Sequence, residues 1–170
     1  MDLKQVVRDF PDFPHEGILF RDIAPILQNP AHFNEAITQM EQMLADVDYD
    51  IIIAPESRGF IFSAPIAARQ NKSLVPARKK GKLPGEVVSK TYALEYGSDT
   101  IEIHKDAIKP GQRVIIIDDL LATGGTAKVI CDIVEEMDGK VACALFLIEL
   151  CDIHGRDVLK GYDVRTILQY

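Results

Sequence analysis

Residues 114–126 of this 170-residue chain read VIIIDDLLATGGT. Val114, Ile115, Ile116 and Ile117 form an apolar run with no polar alternation, which suits a strand covered on both faces. Asp118 and Asp119 follow at once and end it. Thr123, Gly124, Gly125 and Thr126 then make a small-residue turn into a helical pattern carried by Val129, Ile130, Ile133, Val134 and Met137. A buried strand, a glycine turn and a helix in that order leave few folds open. The strand must lie inside a sheet with a helix packed over it, as in α/β proteins.

The rest of the chain repeats that grammar. Ile51, Ile52, Ile53 and Ala54 predict a second buried strand, closed by Pro55, and residues 141–148 (VACALFLI) a third, after Gly139 stops the preceding helix. Phe33, Ala36, Ile37, Met40, Leu44 and Val47 share one helical face, with Pro30 at a first helical position after Asn29. Residues 59–70 predict a helix that Pro65 kinks or delays, and Leu74 and Val75 a short strand. Asp2 ahead of Leu3, Val6, Val7 and Phe10 predicts a short capped helix ended by Pro11 and Pro14, and residues 17–27 hold no period and read as an ordered loop. Ile101 and Ile103 alternate with Glu102 and His104, as in an antiparallel strand with one solvated face. The end predicts a short helix around Val158 and Leu159 and a strand near residues 164–168. These elements add up to one α/β domain over residues 1–170 with a mainly parallel twisted sheet flanked by helices.

Charge narrows the function classes. Acidic residues outnumber basic ones 26 to 19, for a formal net charge of −7, which argues against a general nucleic-acid or anionic-membrane binder. No stretch reaches the roughly 18 apolar residues of a membrane span, and residues 1–20 do not read as a signal peptide. Cys131, Cys143 and Cys151 have no paired spacing and the four histidines are scattered, so no disulfide framework or zinc site is expected. A soluble, cytoplasmic protein with reduced thiols follows.

The turn after the second carboxylate carries the chemistry. A glycine-rich turn at a helix start presents backbone N–H groups to a phosphate, and parallel sheets bind ligands at the carboxyl ends of their strands. Carboxylates just before such a turn repel phosphate, but they accept hydrogen bonds from sugar hydroxyls or help hold a magnesium ion. Together they describe a ribose phosphate. On composition alone the same residues also read as surface acids and a plain turn. Neither G-x-x-x-x-G-K-[ST] nor G-x-G-x-x-G occurs, which disfavours a P-loop ATPase or a dinucleotide oxidoreductase.

VIIIDDLLATGGT resembles the phosphoribosyl-pyrophosphate (PRPP) signature of the type I phosphoribosyltransferases. Three further blocks, FPDFPHEGILFRDIAPIL, APESRGFIFSAPIA and RKKGKLPGEVVSKTYALEYG, stand in the expected order across essentially the whole chain and narrow the resemblance to the adenine phosphoribosyltransferase family. His15 and Glu16 before Gly17, and Ser63 where a glycine is common, are mild departures. The resemblance assigns Asp118 and Asp119 to the ribose 2′ and 3′ hydroxyls. It assigns the backbone of Ala122, Thr123, Gly124, Gly125 and Thr126, with the Thr126 hydroxyl, to the 5′-phosphate. Glu56, Ser57 and Arg58 fall in a pyrophosphate loop in which the family often has a non-proline cis peptide, here at Glu56 to Ser57.

The same resemblance makes residues 78–104 a lid and hairpin, whose cations Arg78, Lys79, Lys80 and Lys82 face the departing pyrophosphate and whose glycines let it close. It makes Glu95 an acid/base acting at adenine N7, with Tyr96 packing over the sugar or pyrophosphate. Residues 1–33 become a base-binding hood, in which Ile18, Leu19, Phe20 and Arg21 sandwich the purine and the main chain at Leu19 and Arg21 reads its edge. Taken alone, each segment has a plainer explanation: a helix-capping Ser57 beside a surface Arg58, a solvated basic turn, a solvent-facing Glu95, and core residues at 18–20.

The reaction implied is adenine plus PRPP to AMP plus pyrophosphate, in a homodimer, with Mg²⁺ held mainly by PRPP and no metal site built by the protein. A transferase for another purine such as xanthine, and a non-catalytic PRPP-sensing regulator, are the alternatives. The hood and lid sequences argue against the first, and the short chain with an acidic start, lacking room for a DNA-binding segment, against the second.

Overall fold

The computed structural model describes residues 1–94 and 96–170. In chain order the elements are β1 (Arg8–Pro11), β2 (Leu19–Asp22), α1 (Ala24–Gln28), α2 (Pro30–Met43), β3 (Ile51–Pro55), α3 (Arg58–Gln70), β4 (Ser73–Lys79), β5 (Val87–Ala93), β6 (Ser98–His104), β7 (Arg113–Leu121), α4 (Gly125–Glu136), β8 (Lys140–Glu149) and β9 (Val164–Gln169). Short 3₁₀ turns occupy Leu3–Gln5, Cys151–Ile153 and Gly155–Asp157.

Seven strands form one sheet in the order β5-β6-β4-β3-β7-β8-β9. β4, β3, β7, β8 and β9 run parallel, while β6 joins β4 and β5 joins β6 antiparallel. The apolar strands alternate between two cores. Ile52, Ile115, Ile117 and Leu145 pack with Ile37, Met40, Phe62 and Ile66 on the α2 and α3 side. Ile51, Ile53, Val114, Ile116 and Phe146 pack with Ile130, Ile133 and Val134 of α4 on the other. Both faces are covered, which is why these strands carry no polar alternation. Cys131 and Cys143 lie buried in these cores, and burial pushes the pKa of each thiol up to about 12.

The chain leaves β3 for β4 on one side and later returns to place β7 on the other. The strand order therefore reverses at β3, and a crevice opens at the carboxyl ends of β3 and β7, the place where open α/β sheets bind ligands.

Several local expectations differ from the structure. The opening segment makes only the turn Leu3–Gln5, capped by Asp2 accepting from the Lys4 N–H, and then a strand instead of continuing its helix. β1 pairs antiparallel with β2, and the cross-strand partners Arg8 with Asp22 and Asp9 with Arg21 are ion pairs at 2.6 and 2.5 Å. Those charges lie outside the apolar period that suggested a helix, and they zip a ribbon. The stretch 17–27 is accordingly strand β2 and helix α1, not a loop. α3 runs through Pro65 from Arg58 without a delayed start. β7 continues through both aspartates to Leu121, so the carboxylates stand within the strand. Around Leu159 the chain makes turns, with the Gly155–Asp157 3₁₀ turn just ahead, in place of a helix. Glu102 on β6 is buried, accepting from the Gly81 N–H and the Ser89 hydroxyl, so the face expected to be solvated is closed at that position while Ser98, Thr100 and His104 stay at least partly exposed.

Candidate active site

Gly59, in the first turn of α3, brings the β3 loop against β7: a Cβ there would stand 3.0 Å from Asp118 Oδ1 and 3.2 Å from the Ile117 carbonyl. This close approach places Arg58 over the carboxylates, with its Nε 2.9 Å from Asp119 Oδ2. Asp119 is only 5% exposed, and Asp118 Oδ1 accepts from the Asp119 N–H at 2.8 Å. Burial, reinforced by the charge of Asp119, pushes the Asp118 carboxyl well above the usual carboxylate range. Burial also raises Asp119, against the pull of Arg58. A ligand that donates hydroxyl hydrogens here relieves a costly arrangement.

Three hollows meet at these residues. The first, about 140 Å³, is lined mostly by apolar groups: Ile18, Leu19, Phe20, Arg21, Ile23, Leu120, Ile148 and Leu150, with Arg58 and Asp119 at its edge. The second, about 160 Å³, is polar and lined by Glu56, Ser57, Arg58, Lys79, Asp118, Asp119 and Thr126 among others. The third, about 100 Å³, is formed by residues 120–127 with Asp118 and Phe146. Leu120 borders all three, Asp119 the first two and Asp118 the last two. One molecule with an apolar planar part, a hydroxylated centre and two anionic arms fits such a junction.

The glycine turn takes its shape from two glycines that sequence reading treats differently. Gly124 has φ +80°, and a Cβ on it would meet the Gly155 carbonyl oxygen at 2.5 Å. Gly155 in turn lies against the Ala122 carbonyl oxygen. The segment after β8 thus backs the turn, a support that nothing in the local sequence announces. Tyr92 of β5 adds another, its hydroxyl 3.0 Å from Thr126 Oγ1.

Glu56 lines the polar hollow and also braces it. Its carboxylate accepts from Arg78 Nε at 3.2 Å and the Lys79 N–H at 2.7 Å, and these bonds, the backbone one foremost, hold its carboxyl below the usual range. It fixes the basic segment beside the polar hollow. The Glu56–Ser57 peptide is cis. Lys79 also pairs with Asp99. Lys82 is exposed and does not line the hollows described, Tyr96 is 88% exposed, and Glu95 lies outside the described residues. A larger open groove of about 640 Å³, at the hairpin root around Pro84 and His104, gathers none of the expected site residues.

The chain matches the phosphoribosyl transferase domain family over residues 22–167. It is 53% identical to the adenine phosphoribosyltransferase of Lachnoclostridium phytofermentans, covering 99% of this chain and 97% of that protein. The chain belongs to the adenine phosphoribosyltransferase family. The crystal structure of adenine phosphoribosyltransferase from Thermoanaerobacter pseudethanolicus superposes with a TM-score of 0.96 at 47% identity, covering 99% and 98% of the two chains. The enzyme of Saccharomyces cerevisiae, solved with an imino-altritol bisphosphate and adenine, does so with a TM-score of 0.91 at 42% identity, covering 98% and 96%. As a member of this family the chain is a pentosyltransferase with the single α/β domain of type I phosphoribosyltransferases.

The donor set bears on a metal. Among the described residues no three His, Cys, Asp or Glu side chains gather as ligands, and the polar hollow is lined by the carboxylates of Glu56, Asp118 and Asp119, the last two an adjacent pair. Such a pair suits a magnesium ion that takes most of its octahedral oxygens from a phosphorylated ligand.

Proposed function

We propose that this enzyme transfers the phosphoribosyl group of PRPP to N9 of adenine, releasing AMP and pyrophosphate. The carrying observation is the junction of one apolar and two polar hollows at Asp118, Asp119 and Leu120. The apolar hollow takes the purine between Phe20 and Leu120, with the main chain at Leu19 and Arg21 reading its edge. Guanine or hypoxanthine, with a carbonyl at position 6, would leave those groups mispaired.

Asp118 and Asp119 accept from the ribose hydroxyls. The N–H groups of Ala122, Thr123, Gly124, Gly125 and Thr126, at the start of α4, take the 5′-phosphate. Ser57, Arg58 and Lys79 receive the pyrophosphate, whose charge grows as the bond to C1 lengthens, and Arg78 and Lys82 extend the cationic wall. Mg²⁺, when bound with PRPP, neutralises pyrophosphate charge. Positioning and fixed charge supply most of the rate enhancement and no covalent enzyme intermediate is needed. Glu95 handles the proton at adenine N7, and Tyr96 packs over the sugar or pyrophosphate. In this reading residues 1–33 are the hood and 78–104 the lid, and the enzyme is a cytoplasmic homodimer. The three free cysteines fit a reducing compartment.

The test is to incubate purified protein with PRPP, Mg²⁺ and each purine base in turn while following nucleotide formation. AMP from adenine, with little product from hypoxanthine, guanine or xanthine, is the expected result. No AMP from adenine overturns the reading. A Glu95→Gln enzyme should turn over roughly 10² to 10⁴ times more slowly, the scale of general acid/base assistance, and unchanged turnover removes that role alone.

A further inference from the structure

We propose that Tyr92 is a positioning residue of the 5′-phosphate site, acting through the hydroxyl of Thr126. The inference rests on the assignment of the 122–126 turn to a phosphate. Tyr92 stands on β5, across the register from Asp99 of β6, on the hairpin and far in sequence from the turn it touches. Its hydroxyl is 3.0 Å from Thr126 Oγ1. Its ring lies behind Gly125, where a Cβ would sit 3.4 and 3.5 Å from two ring carbons. It packs against the α4-side core as a partly buried side chain.

The chemistry of the two hydroxyls decides the direction of the bond. A threonine hydroxyl has one proton and can accept as well as donate, whereas a phosphate monoester dianion offers acceptors only. For Thr126 to bind phosphate its proton must point at the phosphate, so its oxygen must be the acceptor toward Tyr92. The phenol donates, and the Thr126 proton is left free for the ligand. Without that donor the hydroxyl is free to turn to a backbone carbonyl in its own helical start, a common alternative for threonine. The bond also ties the paired strands β5 and β6 to the phosphate turn.

The test compares the wild-type enzyme with Tyr92→Phe, Thr126→Val and the double variant, using calorimetric binding of ribose 5-phosphate together with steady-state kinetics. Tyr92→Phe keeps the ring and loses only the hydroxyl. It should weaken ribose 5-phosphate binding and raise KM for PRPP by about threefold to tenfold, the scale of one hydrogen bond, with KM for adenine unchanged within twofold. In the Thr126→Val background the Phe substitution should have no further effect, while in a Thr126→Ser background, which retains a hydroxyl, its effect should persist. Unaltered ribose 5-phosphate binding by Tyr92→Phe, or an effect of equal size with and without the Thr126 hydroxyl, overturns the proposal. A wild-type enzyme that binds no ribose 5-phosphate overturns the phosphate assignment beneath it, and is seen before any variant is compared.

Discussion

Arg58 and Asp119 face each other across the gap between β3 and β7, with Nε 2.9 Å from Oδ2. Arg58 opens α3 and Asp119 stands within β7, and their meeting at the reversal of strand order is what joins the polar and apolar hollows. The pair also holds the site's own charges in check: a cation assigned to pyrophosphate rests on a carboxylate assigned to ribose.

Asp118 carries a stability cost that should be visible in pH titration. Its folded-state value is raised above the ordinary 3.8 by burial and by Asp119. The folded state therefore binds more protons than the unfolded chain between those values, and stability falls as pH rises through that window. Asp118→Asn removes the titration. Thermal unfolding of the unliganded protein should show the variant more stable than wild type at pH 7, the gap closing as pH falls through that window toward about 4. Activity should be lost, because the asparagine cannot replace the charge facing the ribose.

Gly59→Ala tests the close approach that builds the site. The new methyl would stand 3.0 Å from Asp118 Oδ1 and 3.1 Å from Pro55 Cδ. Overpacking of this kind costs about 1–3 kcal/mol, more than the ~0.5–1 kcal/mol that alanine gains over glycine in a helix. Urea unfolding should show a net loss, and KM for PRPP should rise as Asp118 is displaced.

Gly155 and Gly161 make a matched pair. A methyl on Gly155 collides with the Ala122 carbonyl, so Gly155→Ala should shift the 5′-phosphate turn and raise KM for PRPP at least tenfold by about 1.4 kcal/mol or more of lost binding, with KM for adenine little changed. Gly161, with φ +93°, has open space where its methyl would go. Gly161→Ala should lower stability by about 1 kcal/mol through backbone strain alone and leave both KM values where they were.

The hood depends on the last residue of the chain. The Arg21 guanidinium lies 4.0 Å from the centre of the Tyr170 ring, and the Tyr170 hydroxyl donates to the Lys4 carbonyl at 3.3 Å. Tyr170→Ala removes a cation–π contact worth about 0.5–2 kcal/mol and loosens the strand that carries Leu19 and Arg21. Adenine should bind several-fold more weakly while KM for PRPP stays the same. An effect on PRPP alone would contradict this assignment.

The α/β class, the buried strands and the identity of the carboxylate and glycine groups are legible in the amino-acid sequence, because each is written within a dozen neighbouring residues. An unbroken apolar run has to be covered on both faces, and the Asp118–Asp119 pair followed by TGGT is a local statement about hydroxyls and phosphate. What only the tertiary structure decided is which distant groups meet. The ribbon of β1 and β2 forms through cross-strand charges that helical periodicity does not register, so the first turns of the chain read as a helix. Glu56 reads as a ligand group, and the sequence does not say that its Oε1 also accepts from Arg78 and the Lys79 N–H across the parallel pairing of β3 with β4. Gly155, Leu120, Tyr92 and Tyr170 carry no local signal, since close approach, a shared cavity wall and a hydroxyl contact are properties of pairs separated by tens of residues. Local pattern sets which chemistry is available; the reversal of strand order at β3 sets which of it converges on one ligand.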